Sequence, residues 1–111
     1  MIKVVLFGAS GRMGRLVASN LAEIDDIQLV AGVECPGHYS VGSTLGDAPV
    51  IEDGSKIPDA DAWIDFSIAG SAMDHIRMAS KINMPIVVAA TGFAQDDLAA
   101  VSYTHLRAHE T

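Results

Sequence analysis

The chain opens on an almost unbroken apolar run, Ile2–Phe7 (IKVVLF), closed by Gly8. A run this short and continuous predicts a strand buried on both faces. Met13, Leu16, Val17, Leu21 and Ile24 then recur at helical spacing and predict a helix with one apolar stripe. Asp25 and Asp26 break that spacing, and residues 27–33 (IQLVAGV) read as a second strand. Strand, helix and strand in this length make a βαβ unit.

Residues 35–61 are rich in Gly, Pro, Asp and Ser, with only Val50-Ile51 as a short candidate strand. A connection that long in a compact domain is expected to lie partly over a binding edge. Residues 62–66 (AWIDF) predict a third core strand. Residues 71–82 predict a helix turning Ala72, Ile76 and Ala79 inward, and residues 85–89 (PIVVA) a fourth strand. A turn at Thr91-Gly92 and a helix start in AQDDLAAV follow. Strands alternating with helices imply an α/β fold, a doubly wound parallel sheet of Rossmann-like type. From Ser102 the sequence SYTHLRAHET has no apolar periodicity and interrupts the helix just begun. Residues 1–101 are therefore read as the domain and residues 102–111 as a non-native tail.

Composition narrows the partners. Of the 111 residues, 50% are hydrophobic and 19% charged, the balance of a domain with a buried core. Fourteen acidic against seven basic residues give a formal net charge of −7. That argues against a nucleic-acid polymer or an anionic membrane surface as partner. One small anion, held by a local patch of Lys3, Arg12 and Arg15 around the glycine turn, stays compatible with it. The single cysteine, Cys35, forms no disulfide within the chain and no cysteine-based zinc site. No apolar run reaches membrane-spanning length and MIKVVLF lacks a signal peptide's cleavage region, so the expected compartment is the cytoplasm.

The candidate chemistry sits in VVLFGASGRMGRLV, where Gly8, Gly11 and Gly14 are evenly spaced between strand and helix. A turn of this kind aims backbone N–H groups and a helix dipole at one spot, which suits a pyrophosphate. Gly8 permits the turn, Gly11 lets a phosphate approach the backbone, and Gly14 lets the helix close on the strands. Ser10 and Met13 stand where the G-x-G-x-x-G fingerprint has its second and third glycines, so a plain turn is the alternative. Glu34 tips the balance: it lies 20 residues after Gly14 at the end of the second strand. A dinucleotide site needs an acid there for the adenosine ribose hydroxyls.

Other polar residues carry less. His75, on the predicted second helix, reads as a surface or half-buried residue rather than a catalyst, and His38 as a bystander to the ribose. His105 and His109 stand four apart, but Leu106 occupies the position of the glutamate in HExxH, so no metal is expected. Tyr103 and Arg107 lack the lysine of a Tyr-x-x-x-Lys pair.

The segments IKVVLFGASGRMGRLV, VAGVE, ADAWIDFS and PIVVAATGF, in this order, resemble the amino-terminal domain of the 4-hydroxy-tetrahydrodipicolinate (dihydrodipicolinate) reductases. The resemblance runs from residue 1 to about residue 100. It implies reduction of 4-hydroxy-tetrahydrodipicolinate to tetrahydrodipicolinate, in lysine and diaminopimelate synthesis, with hydride from NADH or NADPH. It implies Gly8, Gly11, Arg12, Met13 and Gly14 at the pyrophosphate and Glu34 at the adenosine ribose. Phe66 and Ser67 would lie beside the nicotinamide, with Ala89, Thr91 and Gly92 where cofactor meets substrate. The family's second domain, which binds substrate and forms a homotetramer, does not appear in these residues. Its histidine-rich motif and protonating lysine are missing with it, so a truncated fold, no catalytic residue and an inactive isolated chain are expected.

Two local departures matter. Ala89-Ala90-Thr91-Gly92 replaces the family's usual G-T-T-G, and Cys35 replaces the basic residue that often follows the ribose acid. With Glu34 present and no cation at position 35, NADH is the preferred cofactor, with NADPH possible. The alternatives are another GxxGxxG oxidoreductase (an extended short-chain dehydrogenase or an acyl-phosphate reductase) and a nonenzymatic NAD-binding module.

Overall fold

In the computed structural model, which describes residues 1–89, the opening apolar run forms β1 (Ile2–Phe7), its last four residues buried. α1 (Arg12–Ala22) leads to β2 (Ile27–Glu34), which pairs parallel to β1. A hairpin of β3 (Thr44–Leu45) and β4 (Ala48–Glu52) follows. β5 (Ala62–Asp65), α2 (Ala69–Lys81) and β6 (Ile86–Val88) complete the described chain. The sheet order is β3-β4-β2-β1-β5-β6, and every pairing except β3–β4 is parallel. This is the Rossmann-like doubly wound arrangement, and its strand order reverses at β1. The expected turn at Thr91-Gly92, the helix after it and the tail from Ser102 lie outside the described residues.

The hairpin departs from the all-parallel expectation. Val50-Ile51 lies inside β4, a full neighbour of β2, while Gly46 (φ +62°) reverses the chain before it. β3 is an edge strand of two residues, short enough to offer little template for pairing with another chain.

Residues alternate between the two faces of the sheet. On the α2 face, Val5, Phe7, Val33, Trp63 and Ala79 form the core, with Ile51, Ile57, Met84 and Ile86 packed around them. Phe7 meets Trp63 edge-on at 5.0 Å between ring centroids. α2 carries Ala72, Ile76 and Ala79 inward, as its spacing predicts. It ends where Asn83 (φ +56°) takes the left-handed conformation and the Met84 N–H donates back to the Ala79 carbonyl, 2.8 Å. That closure satisfies a carbonyl the helix end would otherwise leave unpaired.

The α1 face corrects the predicted stripe. Met13, Leu16 and Ile24 are about half exposed, and the buried helix positions are Gly14 and Leu21. Gly14 explains the rotation. A Cβ there would lie 2.3 Å from the Gly8 carbonyl oxygen and 2.7 Å from that of Ala9. The helix therefore touches backbone at this point, and the line through Gly14, Val17, Ala18 and Leu21 faces the sheet. Lys3 also leaves the expected anion patch. Its N–H donates to the Asp61 carboxylate, 2.8 Å, at the far end of β1. Four strand residues separate it from the glycine turn, a span of roughly 16 Å. Among the described residues no helix is long and apolar enough to cross a membrane.

Backbone contact at Gly14 predicts a sharp contrast between neighbouring glycines. Gly14→Ala should lower the unfolding free energy by roughly 3 kcal/mol, the upper range of overpacking costs. Gly11→Ala, whose Cβ would meet only the Gly8 carbonyl oxygen at an ordinary 3.6 Å, should cost less than about 1 kcal/mol. Urea unfolding of both variants checks this, and equal losses would contradict it.

Candidate functional site

The carboxyl ends of β1, β2 and β5 define one edge, at the point where the strand order reverses. Open α/β sheets bind ligands in the crevice outside this edge. The turn from β1 to α1 lies there. Gly8 adopts φ +72°, and its N–H donates to the Val33 carbonyl, 3.0 Å. A Cβ on Gly8 would come within 2.7 Å of the Phe66 backbone and 2.8 Å of the Ser67 nitrogen. The turn thus rests directly on the chain leaving β5. α1 begins after Gly11 with no side-chain cap and no acidic residue in its first turn. Its leading N–H groups, those of Arg12, Met13 and Gly14, have no intrahelical acceptor.

Glu34, ending β2, reaches this turn. Its Oε2 accepts the Ser10 N–H at 2.6 Å, while Oε1 makes no hydrogen bond among the described residues. Ala89 joins the same edge through its N–H, which donates to the Asp65 carbonyl, 2.8 Å. Gly8, Gly11, Arg12, Met13, Gly14, Glu34, Phe66, Ser67 and Ala89 are therefore drawn to one side of the sheet. Thr91 and Gly92 lie outside the described residues.

A second group comes from the connection after β2. The Ser10 hydroxyl donates to the Ser40 hydroxyl, 2.7 Å, and Ser40 bonds His38 Nδ1 through both its N–H (3.1 Å) and its hydroxyl (2.7 Å). His38 also stacks on Tyr39, whose hydroxyl accepts from Arg15 at 3.3 Å. His38 is thus tied to the glycine turn through Ser40, a residue the sequence reading passed over. A groove of about 860 Å³ runs from here between α1, β2 and the β3–β4 hairpin, lined by Leu21, Ile27, Leu29, Leu45 and Val50 among others. It follows the flank of β2 rather than the strand ends. Its origin is topological: the chain from β2 to β4 supplies no helix to cover that flank.

The least anticipated feature lies beneath the edge, on the α2 face. His75 is 2% exposed, not a surface residue, because it lies on the same helix face as Ala72, Ile76 and Ala79. Its Nδ1 contacts Asp65 Oδ2 at 2.5 Å and its Nε2 contacts Asp53 Oδ2 at 2.7 Å. Phe7 lies 4.0 Å away, ring to ring. Asp65, fully buried, also accepts the N–H and hydroxyl of Ser67 on Oδ1. Burial pushes the Asp65 carboxyl up, but hydrogen bonds from His75 and Ser67 outweigh it and hold the group below its ordinary value. Burial likewise pushes His75 down, and its bonds to Asp65 and Asp53 outweigh that and raise it. Two carboxylates facing two ring nitrogens favour donation from both, which is the imidazolium form.

The family model described as dihydrodipicolinate reductase, N-terminus, matches residues 2–107. The 4-hydroxy-tetrahydrodipicolinate reductase of Methanothermobacter thermautotrophicus is 31% identical over 114 residues, covering 91% of this chain and 42% of the relative. That of Methanoregula boonei is 37% identical over 99 residues, covering 86% and 38%. The chain thus spans about two fifths of the length of these relatives. A dipicolinate-bound dihydrodipicolinate reductase from Paenisporosarcina sp. TG-14 superposes with a TM-score of 0.69 at 20% identity, over 94% of this chain and 43% of that one. The scyllo-inositol dehydrogenase of Lactobacillus casei, solved with NAD(H) and scyllo-inositol, gives 0.78 at 19% identity, over 99% and 34%. At these identities the structures speak for the fold alone.

The charge network predicts how stability follows pH. Asp65, held below 3.8, adds stability that is present above that value and is lost as pH falls through its folded pKa. His75, raised above 6.5, adds stability that is complete below 6.5 and is lost as pH rises through its folded pKa. Urea unfolding should therefore be hardest between these limits. The alkaline decline should coincide with the His75 ring titration followed by NMR. A flat profile from pH 6.5 upward would show that the folded ring is neutral.

Proposed function

Since the chain belongs to the dihydrodipicolinate reductase family through its amino-terminal domain, we propose that it is the nicotinamide-dinucleotide-binding portion of a 4-hydroxy-tetrahydrodipicolinate reductase. The observation that carries this reading is the meeting of a glycine turn, an uncapped helix start and a strand-ending carboxylate on one edge. Two features fit such a group. The outer side of Gly11 is open, its added Cβ meeting nothing closer than 3.6 Å, while uncapped N–H groups follow it. Glu34 already braces the turn with one oxygen and keeps the other for ribose hydroxyls.

A bound NADH or NADPH supplies the hydride for the reduction. The first-turn N–H groups, with Gly11, Arg12 and Met13, hold the pyrophosphate, where the helix dipole favours negative charge. Gly8 and Gly14 keep the turn tight against Phe66 and the helix. Phe66 and Ser67 wall the nicotinamide end, and Ala89, with Thr91 and Gly92, lies toward the substrate. Orientation of the reacting groups is what such a scaffold contributes to rate. The proton donor, the grip on the substrate's carboxylates and the homotetramer surface belong, in this reading, to parts of the enzyme beyond these residues. The isolated chain then binds cofactor without turning substrate over. The place of the reaction is the cytoplasmic diaminopimelate and lysine pathway.

Gly11→Val is the direct test, because the fold tolerates a side chain there and a phosphate does not. Calorimetry should show NADH binding by the wild-type chain and its loss in the variant, with circular dichroism unchanged. Equal affinity would reduce the loop to a turn.

Cofactor choice rests on Glu34 and Cys35. A 2′-phosphate would set negative charge against the Glu34 carboxylate, and Cys35 offers no compensating cation. A charge-assisted hydrogen bond contributes roughly 1.5–3 kcal/mol. Its absence should favour NADH over NADPH by about ten- to a hundredfold. Cys35→Arg should narrow that ratio, measured as paired dissociation constants at matched salt. Tighter NADPH binding by the unmutated chain would show that Arg12 or His38 already holds the phosphate.

A further inference from the structure

The charged cluster beneath the edge touches both ends of the crevice. At one end Asp65 fixes the N–H and hydroxyl of Ser67, the residue whose backbone lies against Gly8. At the other, the Asp53 N–H donates to the Glu34 carbonyl, 2.7 Å. His75 joins the two aspartates and is the link between these ends. We propose that His75 is a positioning residue for the dinucleotide, its imidazolium locking the β4 and β5 ends so that Glu34 and Ser67 stand at a fixed separation. This rests on the nucleotide-binding reading and adds a proton to it.

Among the described residues the groups facing the ring are few. From β5 and the residues after it come Asp65 and Ser67, from the turn after β4 comes Asp53, and from β1 comes the Phe7 ring. On α2 itself, Asp74 and Arg77 pair with each other in solvent, 64% exposed for Arg77 and 75% for Asp74. When the imidazolium loses a proton, one ring nitrogen becomes an acceptor facing a carboxylate that can only accept. The contact to Asp53 opens first, because its carboxylate is 26% exposed and water can replace the ring, whereas Asp65 is sealed. The turn that holds the Glu34 carbonyl then loosens, and the ribose end of the crevice loses its fixed position. Affinity for the dinucleotide therefore falls as the ring deprotonates. By linkage the dinucleotide raises the ring's midpoint by the same factor.

Asp53→Asn separates this from a purely structural role. The site is part-exposed, and an amide can accept from the imidazolium or donate to the neutral ring, so the contact survives in both states. NADH dissociation constants are measured across the neutral and alkaline range, with the His75 ring followed by NMR. A Cys35→Ser background keeps the thiol beside Glu34 out of the pH dependence. For this parent chain, affinity should drop about tenfold in step with the His75 titration, and NADH should raise that midpoint by roughly one pH unit. In Asp53→Asn the affinity should stay flat. His38 does not contact position 53, so it cannot mimic this response. Binding that ignores pH in the parent chain, or that keeps its slope in Asp53→Asn, would overturn this inference alone. No NADH binding at any pH would overturn the nucleotide reading and this inference with it.

Discussion

Backbone pressed against backbone, with no Cβ between, holds the carboxyl edge of this sheet together. Gly14 sets α1 on the Gly8 and Ala9 carbonyls, and Gly8 sets the turn on the Phe66–Ser67 peptide. Gly32 completes the arrangement, since a Cβ there would lie 2.7 Å from the side chain of Ala9. Helix, turn and two strands are thus fixed to within a bond length by side chains that are not there. The rotation of α1, with Met13 and Leu16 turned outward, follows from that contact.

Under the same edge a different force acts. Asp65, His75 and Asp53 bring charge into a region lined by Phe7 and the α2 core. Removing water from ions is costly, and a buried ion pair often stabilises no more than apolar side chains of the same shape. What the triad does contribute is geometry. Two ring nitrogens and two carboxylates fix the spacing of the β4 turn and the β5 end in a way that apolar packing, with its softer directional preferences, does not.

Much of this could be read from the chain. Continuous apolar runs marked β1, β2, β5 and β6, and the helical spacing of Ala72, Ile76 and Ala79 marked the inward face of α2. Gly8 and Gly14 carried their roles in their spacing. Other features were hidden for physical reasons. The β3–β4 hairpin is too short, and too broken by Gly46 and Pro49, to show a period. The stripe Met13–Leu16–Ile24 obeyed helical spacing, yet hydrophobicity cannot reveal that a glycine makes the closest approach. His75 found its partners 10 and 22 residues away along the chain, beyond any local pattern. Its signal was there all the same: a histidine inside the apolar face of a helix, and an aspartate closing the otherwise apolar strand AWID.

The central claim is that the strand ends and the glycine turn, rather than the groove along β2, receive the dinucleotide. Amide shifts of the labelled chain during an NADH titration test it most directly. The largest changes are expected at Gly11, Arg12 and Met13, with Ser67 responding at the opposite end of the crevice. Changes confined to Leu21, Ile27 and Leu45 would place the ligand in the groove and contradict the account.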